Sequence, residues 1–237
     1  MTAFDDLDDY IELPRVSGLA VSSDGSRVVT TVAELNSTKT EYVTAVWELD
    51  PAGRAPARRL TRGAKGEAAP TFTVEGDLLF TSVRPTKDDD KPPAALWLLS
   101  ADGGEACQLA ELPGGITAVR TARAASVVTV GGPMLPSAAS VDDDRRLRGV
   151  RKDADVTAIL HSGYPLRYWD SDLGPDETHL FRVGGDGALI DLTPQPGMGL
   201  REPDWSVSAD GLFAVAAWRV PAPGAAVRSV LMRIDLD

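Results

Sequence analysis

Val21-Ser22-Ser23-Asp24-Gly25-Ser26-Arg27-Val28-Val29-Thr30 is a polar turn held between two runs of alternating apolar residues. The pattern returns as Phe72-Thr73-Val74-Glu75-Gly76-Asp77-Leu78-Leu79-Phe80, with Gly76 placed 51 positions after Gly25. It returns again as Trp205-Ser206-Val207-Ser208-Ala209-Asp210-Gly211-Leu212-Phe213-Ala214-Val215. Asp-Gly supplies the positive-φ positions of a tight hairpin turn, and the flanking alternation supplies strands with one buried face. A unit this small cannot bury its own apolar face, so successive units must stack on one another. Self-similarity at this period reads as the blades of a β-propeller.

Working outward from the turns, the expected fold is all-β: a partial β-propeller of about four blades, with a short helical insertion in the third blade. Residues 1–14 read as a leader, with Leu7, Tyr10 and Ile11 at helical spacing and Pro14 ending the helix. Residues 15–237 form the propeller domain, with blades at about 16–61, 70–112, 115–193 and 203–237. In the first blade, strands are expected at 18–22, 27–32, 44–50 and 58–60, with a polar loop at 34–41. Trp47 and Trp97 lie 50 positions apart with matching apolar neighbours, so they fall on equivalent strands and are expected to be buried on the blade faces.

The third blade is irregular. Strands at 116–119 and 126–130 are followed by a long interval before Thr178-His179-Leu180-Phe181-Arg182-Val183. Within that interval Asp142-Asp143-Asp144 puts acids at the positive end of a helix whose Leu147, Val150 and Ala154 share one face. The charged stretch 145–155 is expected to be a solvated face. Asp191-Leu192-Thr193 closes this blade as Arg59-Leu60-Thr61 closes the first. The fourth blade ends in a strand at 230–236 and stops where the first blade turned toward an outer strand, so it is expected to be cut short.

The 237 residues are 43% hydrophobic and 25% charged, enough for a real core beneath an ordinary charged surface. A net charge of −11 repels nucleic-acid phosphates, and no basic stripe offsets it. No apolar run approaches the ~18–20 residues of a membrane span. Met1-Thr2-Ala3-Phe4-Asp5-Asp6 is acidic where a signal peptide is basic and then apolar. Cys107 is the only cysteine, which excludes an internal disulfide and a cysteine-based metal cluster and makes a cytoplasmic location the expectation. In its strand-like context the thiol is expected to be buried and inert.

Few residues point to chemistry. The Gly-x-Ser-x-Gly turn that lifts a hydrolase serine above its sheet is absent. His161 and His179 are the only histidines, 18 apart with no nearby Glu, a poor zinc pair, and neither lies beside a serine and aspartate that would make a triad. Gly184-Gly185-Asp186-Gly187 precedes a strand, whereas a phosphate cradle opens a helix, so it reads as a hairpin turn. Lys87-Asp88-Asp89-Asp90-Lys91 lacks the glycine-spaced ligand pattern of a calcium loop and reads as a solvated connection. No catalytic, cofactor-binding or metal-ligating residue is assigned, and no cofactor is expected.

One stretch stands apart: residues 151–175, containing Arg167-Tyr168-Trp169-Asp170, in which the aromatics could anchor a crossing loop and Arg167 could pair with Asp170 or Asp172. A leader, Asp-Gly blade turns and a charged segment ending in Arg-Tyr-Trp-Asp together resemble the N-terminal propeller of prolyl oligopeptidase family serine peptidases, in particular their acylaminoacyl-peptidase-like branch. The resemblance extends from the leader to Asp237 and is most specific at residues 167–170. It implies a propeller that gates peptide access to a Ser–Asp–His triad in a separate α/β-hydrolase domain. That domain and the later blades are absent from this sequence, so no catalytic residue of the family can be placed on it. The expected role is substrate gating, non-catalytic in this chain alone, with a peptide substrate met through the missing catalytic domain and self-association through open blade edges. The alternative is a self-contained small propeller that binds a protein or ligand.

Overall fold

The computed structural model describes residues 6–85, 92–160, 167–168 and 171–236. It divides into two compact units, Met1–Leu109 and Ala110–Asp237.

The first unit opens with α1 (Leu7–Glu12), capped by the Asp6 carboxylate, which accepts the Asp8 amide. Two antiparallel four-stranded sheets follow. The first contains β1 (Arg15–Val21), β2 (Val28–Leu35), β3 (Tyr42–Leu49) and β4 (Arg58–Arg59). The second contains β5 (Glu67–Phe72), β6 (Leu78–Ser82), β7 (Ala95–Leu99) and β8 (Cys107–Ala110). In both, strand order in space equals order in sequence, as short turns between alternating segments dictate. Gly18, at φ 65°, produces a bulge in β1 between Ser17 and Leu19.

The sheets pack through β5, which lies against β1, β2 and β3. Val29, Val46, Phe72, Leu78 and Phe80 form the core. Arg27 ties the two sheets together. Its Nε donates to Glu48 Oε1 at 2.8 Å, its other arm donates to the Gly76 carbonyl at 3.1 Å, and its guanidinium lies over the Phe72 ring.

The second unit contains a four-stranded antiparallel sheet with spatial order β9 (Ala118–Thr121), β10 (Val128–Met134), β13 (Glu177–Val183), β14 (Leu189–Asp191). Between β10 and β13 lie α2 (Val141–Asp153) and a two-stranded ribbon of β11 (Arg167–Tyr168) and β12 (Ser171–Asp172). A three-stranded sheet follows, with β15 (Trp205–Val207), β16 (Phe213–Ala222) and β17 (Ala226–Asp235). Trp205 is 2% exposed and joins the two sheets: its indole N–H donates to Thr129 Oγ1 at 2.8 Å, and Arg120 lies over its ring while donating to its carbonyl. Leu180, Leu200, Ala214, Ala216, Ile234 and Leu236 complete that core.

The whole is an all-β structure of three- and four-stranded antiparallel sheets with a helical segment, consistent with a propeller-like fold. The Leu-Thr correspondence is physical. Thr61 Oγ1 accepts the Val46 amide and Thr193 Oγ1 accepts the Leu180 amide, each at 2.9 Å, so a side chain completes the ladder where the outer strand ends.

Four local expectations need correction. The polar loop expected at 34–41 is shorter, because Glu34 and Leu35 still pair with Val43 and Tyr42. The Asn36 carboxamide oxygen then tightens the hairpin by accepting from the Thr40 amide. Trp47 and Trp97 do occupy corresponding third strands, β3 and β7, but both are half-buried. The Arg84 guanidinium, 3.7 Å from the Trp97 ring centre, supplies part of that cover. Cys107 is exposed, because it begins the outermost strand of its sheet. On α2 the buried residue is Asp144, whereas Val150 and Ala154 are exposed, so the helix docks through charge and not through its apolar stripe.

Candidate functional site

The segment between Met134 and Glu177 is where the chain departs from its repeat, and its anchoring is built from the helix upward. Ser140 caps α2 by accepting the Asp143 amide at 3.2 Å, and Asp143 accepts the Ala139 amide in return. Asp142, Asp143 and Asp144 occupy the first turn and Arg151 and Lys152 the last, which suits the helix dipole at both ends. Arg146 and the Ala139 amide hold the Asp143 carboxyl below its ordinary pKa, with Arg146 the stronger influence.

Asp144 points inward, fully buried. It accepts from the Leu135 amide at 2.9 Å and from Arg148 Nε at 2.8 Å. The other side of the Arg148 guanidinium donates to Asp176 Oδ1 at 2.7 Å and to the Pro133 carbonyl. One arginine thus gathers both ends of the insertion and the last residues of β10. Burial favours the neutral form of Arg148, but Asp144 and Asp176 outweigh it and raise its pKa. Gly114 must be glycine here, since a Cβ would fall 2.4 Å from the Pro133 carbonyl oxygen and 2.8 Å from Arg148. The Asp144–Arg148 spacing of four was visible in the sequence as a helical ion pair. Asp176, 28 positions from Arg148, was not.

Of the singled-out residues, Arg167 and Tyr168 stand opposite Asp172 and Ser171 in the backbone register of the ribbon. Trp169, Asp170, His161 and the 87–91 charge run lie outside the described residues, as does the proposed Arg167–Asp170 pairing. His179 is buried on β13, its Nδ1 2.9 Å from Asp191 Oδ2, while Asp191 Oδ1 accepts the Thr193 amide. His179 Nε2 is buried and meets no hydrogen-bond partner, so this His–Asp pair has no serine in triad position. Gly184 to Ala188 form the hairpin turn between β13 and β14, closed by the Gly184 amide donating to the Ala188 carbonyl. Among the described residues no three His, Cys, Asp or Glu side chains group to hold a metal, and no helix is long and apolar enough to cross a membrane. An open cleft of about 450 Å³ runs beside β17 and is lined by Leu192, Thr193, Gln195, Trp218, Met232 and Ile234, among others.

No protein-family model matches this sequence. The Bacillus subtilis uncharacterized peptidase YuxL is 28% identical over 113 residues, which covers 46% of this chain and 16% of that protein. Among solved structures, Pyrococcus horikoshii acylaminoacyl peptidase superposes with a TM-score of 0.60 at 10% identity, over 94% of this chain and 33% of that one. The tricorn protease superposes with a TM-score of 0.51 at 10% identity, over 93% of this chain and 23% of that one. The AtxE2 isopeptidase gives 0.50 at 17% identity, over 92% and 39%. The likeness is one of fold. The chain spans about a third of the acylaminoacyl peptidase and less of YuxL, so what those whole proteins do is not thereby assigned to this chain.

Proposed function

We propose that this chain is the N-terminal propeller part of an acylaminoacyl-peptidase-like serine peptidase, with a leader at 1–14 and blades at about 16–61, 70–112, 115–193 and 203–237. Its role is to screen peptide substrates and cover an active site carried by a hydrolase domain, excluding water and large proteins from it. The observation that carries this reading is the superposition of 94% of the chain on the acylaminoacyl peptidase, supported by the sequence likeness to a second peptidase. Hydrolysis itself would belong to the other domain, through acyl-enzyme chemistry at an activated serine. A cytoplasmic location is part of the proposal and rests on the sequence alone, whose one cysteine leaves no internal disulfide to form.

Two measurements test it. Incubation of the purified chain with a fluorophosphonate probe and an acyl-aminoacyl chromogenic substrate should give no labelling and no turnover; stoichiometric labelling of a serine would overturn the non-catalytic assignment. In the genome, the frame that carries this chain or its neighbour should encode a Gly-x-Ser-x-Gly hydrolase domain. Absence of such a domain, together with peptide or protein binding by this chain alone, would make a self-contained binding module the correct reading.

A further inference from the structure

At the start of β5, in the first unit, polar groups collect whose hydrogen bonds are incomplete. Glu67 stands opposite Ser82 across the β5–β6 ladder and is 1% exposed. Its Oε1 accepts the Gly63 amide at 2.7 Å and its own amide donates to Thr44 Oγ1. Position 63 must be glycine, because a Cβ would lie 2.5 Å from Glu67 Oε1 and 3.2 Å from Ser82 Oγ. Glu67 Oε2, Ser82 Oγ and Arg84 Nε are all buried without a partner. The Arg84 guanidinium lies over the Trp97 ring, and its nearest approach to Glu67 is 4.0 Å, an ion pair without a hydrogen bond.

Buried polar atoms nearly always find partners, and each one left alone destabilises the fold. Three in one neighbourhood therefore mark a place where the fold holds polar groups ready for something else. Arg84 also faces a cleft of about 340 Å³ whose wall is Arg62, Gly63, Ala64, Val83, Arg84 and Pro85. Among these described residues two carry guanidinium groups and none is acidic. Glu67 Oε1 accepts the Gly63 amide and stays 4.0 Å from Arg84, so it makes no hydrogen bond to the fork. The Arg84 side chain is 33% exposed and its guanidinium is held over the Trp97 ring, so the part that faces the cleft is pre-oriented for a planar, two-oxygen anion.

We propose that the cleft between Arg62 and Arg84 is a carboxylate-binding subsite, taking the carboxylate of a small organic acid or of a peptide C-terminus. Arg84 supplies the fork, Arg62 supplies the second positive charge, and Trp97 with Glu67 fixes the orientation of Arg84. The site stands on these residues whether or not the chain works beside a hydrolase domain.

The test is titration of the Arg84 Nε–H resonance in proton–nitrogen NMR spectra, assigned by its disappearance in Arg84→Lys. Propionate and acetyl-triglycine are the two carboxylate probes, propionamide and acetyl-triglycinamide their neutral counterparts, and inorganic phosphate a third anion. The titrations are repeated in a chain carrying Asp88→Asn, Asp89→Asn and Asp90→Asn, which removes the acidic run that follows Pro85 in the sequence. Both acids should shift the resonance saturably in the millimolar range and the amides should not. Tighter binding of acetyl-triglycine than of propionate assigns the site to a peptide terminus; equal binding assigns it to small acids. Affinity, followed by amide shifts of Gly63 and Ala64, should fall at least tenfold in Arg84→Lys and at least threefold in the exposed-site variant Arg62→Ala. The proposal fails if the amides shift the resonance as the acids do, if only phosphate binds, or if neither acid binds in either chain. It also fails if a folded Arg84→Lys or Arg62→Ala chain keeps full affinity.

Discussion

Ser22 and Asp24 turn β1 into β2 by a set of hydrogen bonds that Ser208 and Asp210 repeat between β15 and β16. In each turn the serine hydroxyl donates to the aspartate at 2.6 Å, and the same hydroxyl accepts an amide from the start of the next strand. Asp24 also accepts from the amide and hydroxyl of Ser26. The Ser22 hydroxyl first, and then these Ser26 groups, hold the Asp24 carboxyl down to about 2. Because the folded value lies below the unfolded value of about 3.9, the ionised carboxylate stabilises the fold above pH 4 and loses that effect as pH falls toward 2. Asp24→Ala should therefore lower the urea midpoint at pH 7, and the gap from the native chain should close on acidification from pH 4 to pH 2. A gap of unchanged size at the acid end would refute this role. Trp205 carries the other residue-scale prediction. Trp205→Ala should cost about 3–5 kcal/mol, as truncation of a buried aromatic does. The half-buried Trp47 and Trp97 should each cost less by the same denaturation assay, and equal losses at all three would contradict the burial seen here.

Among the elements, α2 shows how an insertion is fixed to a repeat without apolar packing. Its Leu147, Val150 and Ala154 share one face in the sequence, yet Asp144 is the residue that goes inside. It does so because the Leu135 amide and Arg148 provide the hydrogen bonds a buried carboxylate needs. Arg148→Ala leaves that carboxylate with one donor and frees Asp176. The loss should be about 3 kcal/mol, the low end of the range for breaking a buried ion pair, because Arg148 itself is 26% exposed. Equilibrium unfolding measures it, and faster hydrogen exchange confined to residues 135–153 would show that the insertion detaches while the sheets persist. A loss below the assay error would mean that the helix is held by something other than this clamp.

For the molecule as a whole, the exposed surface of β17 predicts how chains meet. β17 is the last strand of its three-stranded sheet, and Leu231 is 80% exposed with Val227 and Met232 also in solvent. An edge strand carrying apolar side chains recruits other chains, and a charge on it opposes pairing. The chain is expected to self-associate in a light-scattering concentration series, and Leu231→Lys should shift the series toward monomer. A native chain that stays monomeric throughout would refute the prediction and favour the self-contained module over the partner of a hydrolase domain.

The hairpin turns, most of the strands, the leader helix and the helix at 141–153 were legible in the sequence, because each rests on local chemistry: a glycine where φ is positive, a cap beside an acidic first turn, a period of two. The equivalence of Leu60-Thr61 with Leu192-Thr193 was legible for the same reason, since each threonine completes a ladder within its own sheet. What faces what was decided only in three dimensions. The solvent exposure of Cys107, the partial cover of Trp97, the inward turn of Asp144 and the meeting of Glu67, Ser82 and Arg84 all depend on which strand is outermost and which side chain arrives from elsewhere. Arg148 reaches Asp176 across 28 positions, and Arg120 reaches Trp205 across 85. Periodicity carries no record of such pairs, because the energy that selects them comes from desolvation and geometry in the packed state and not from the conformational preference of either residue.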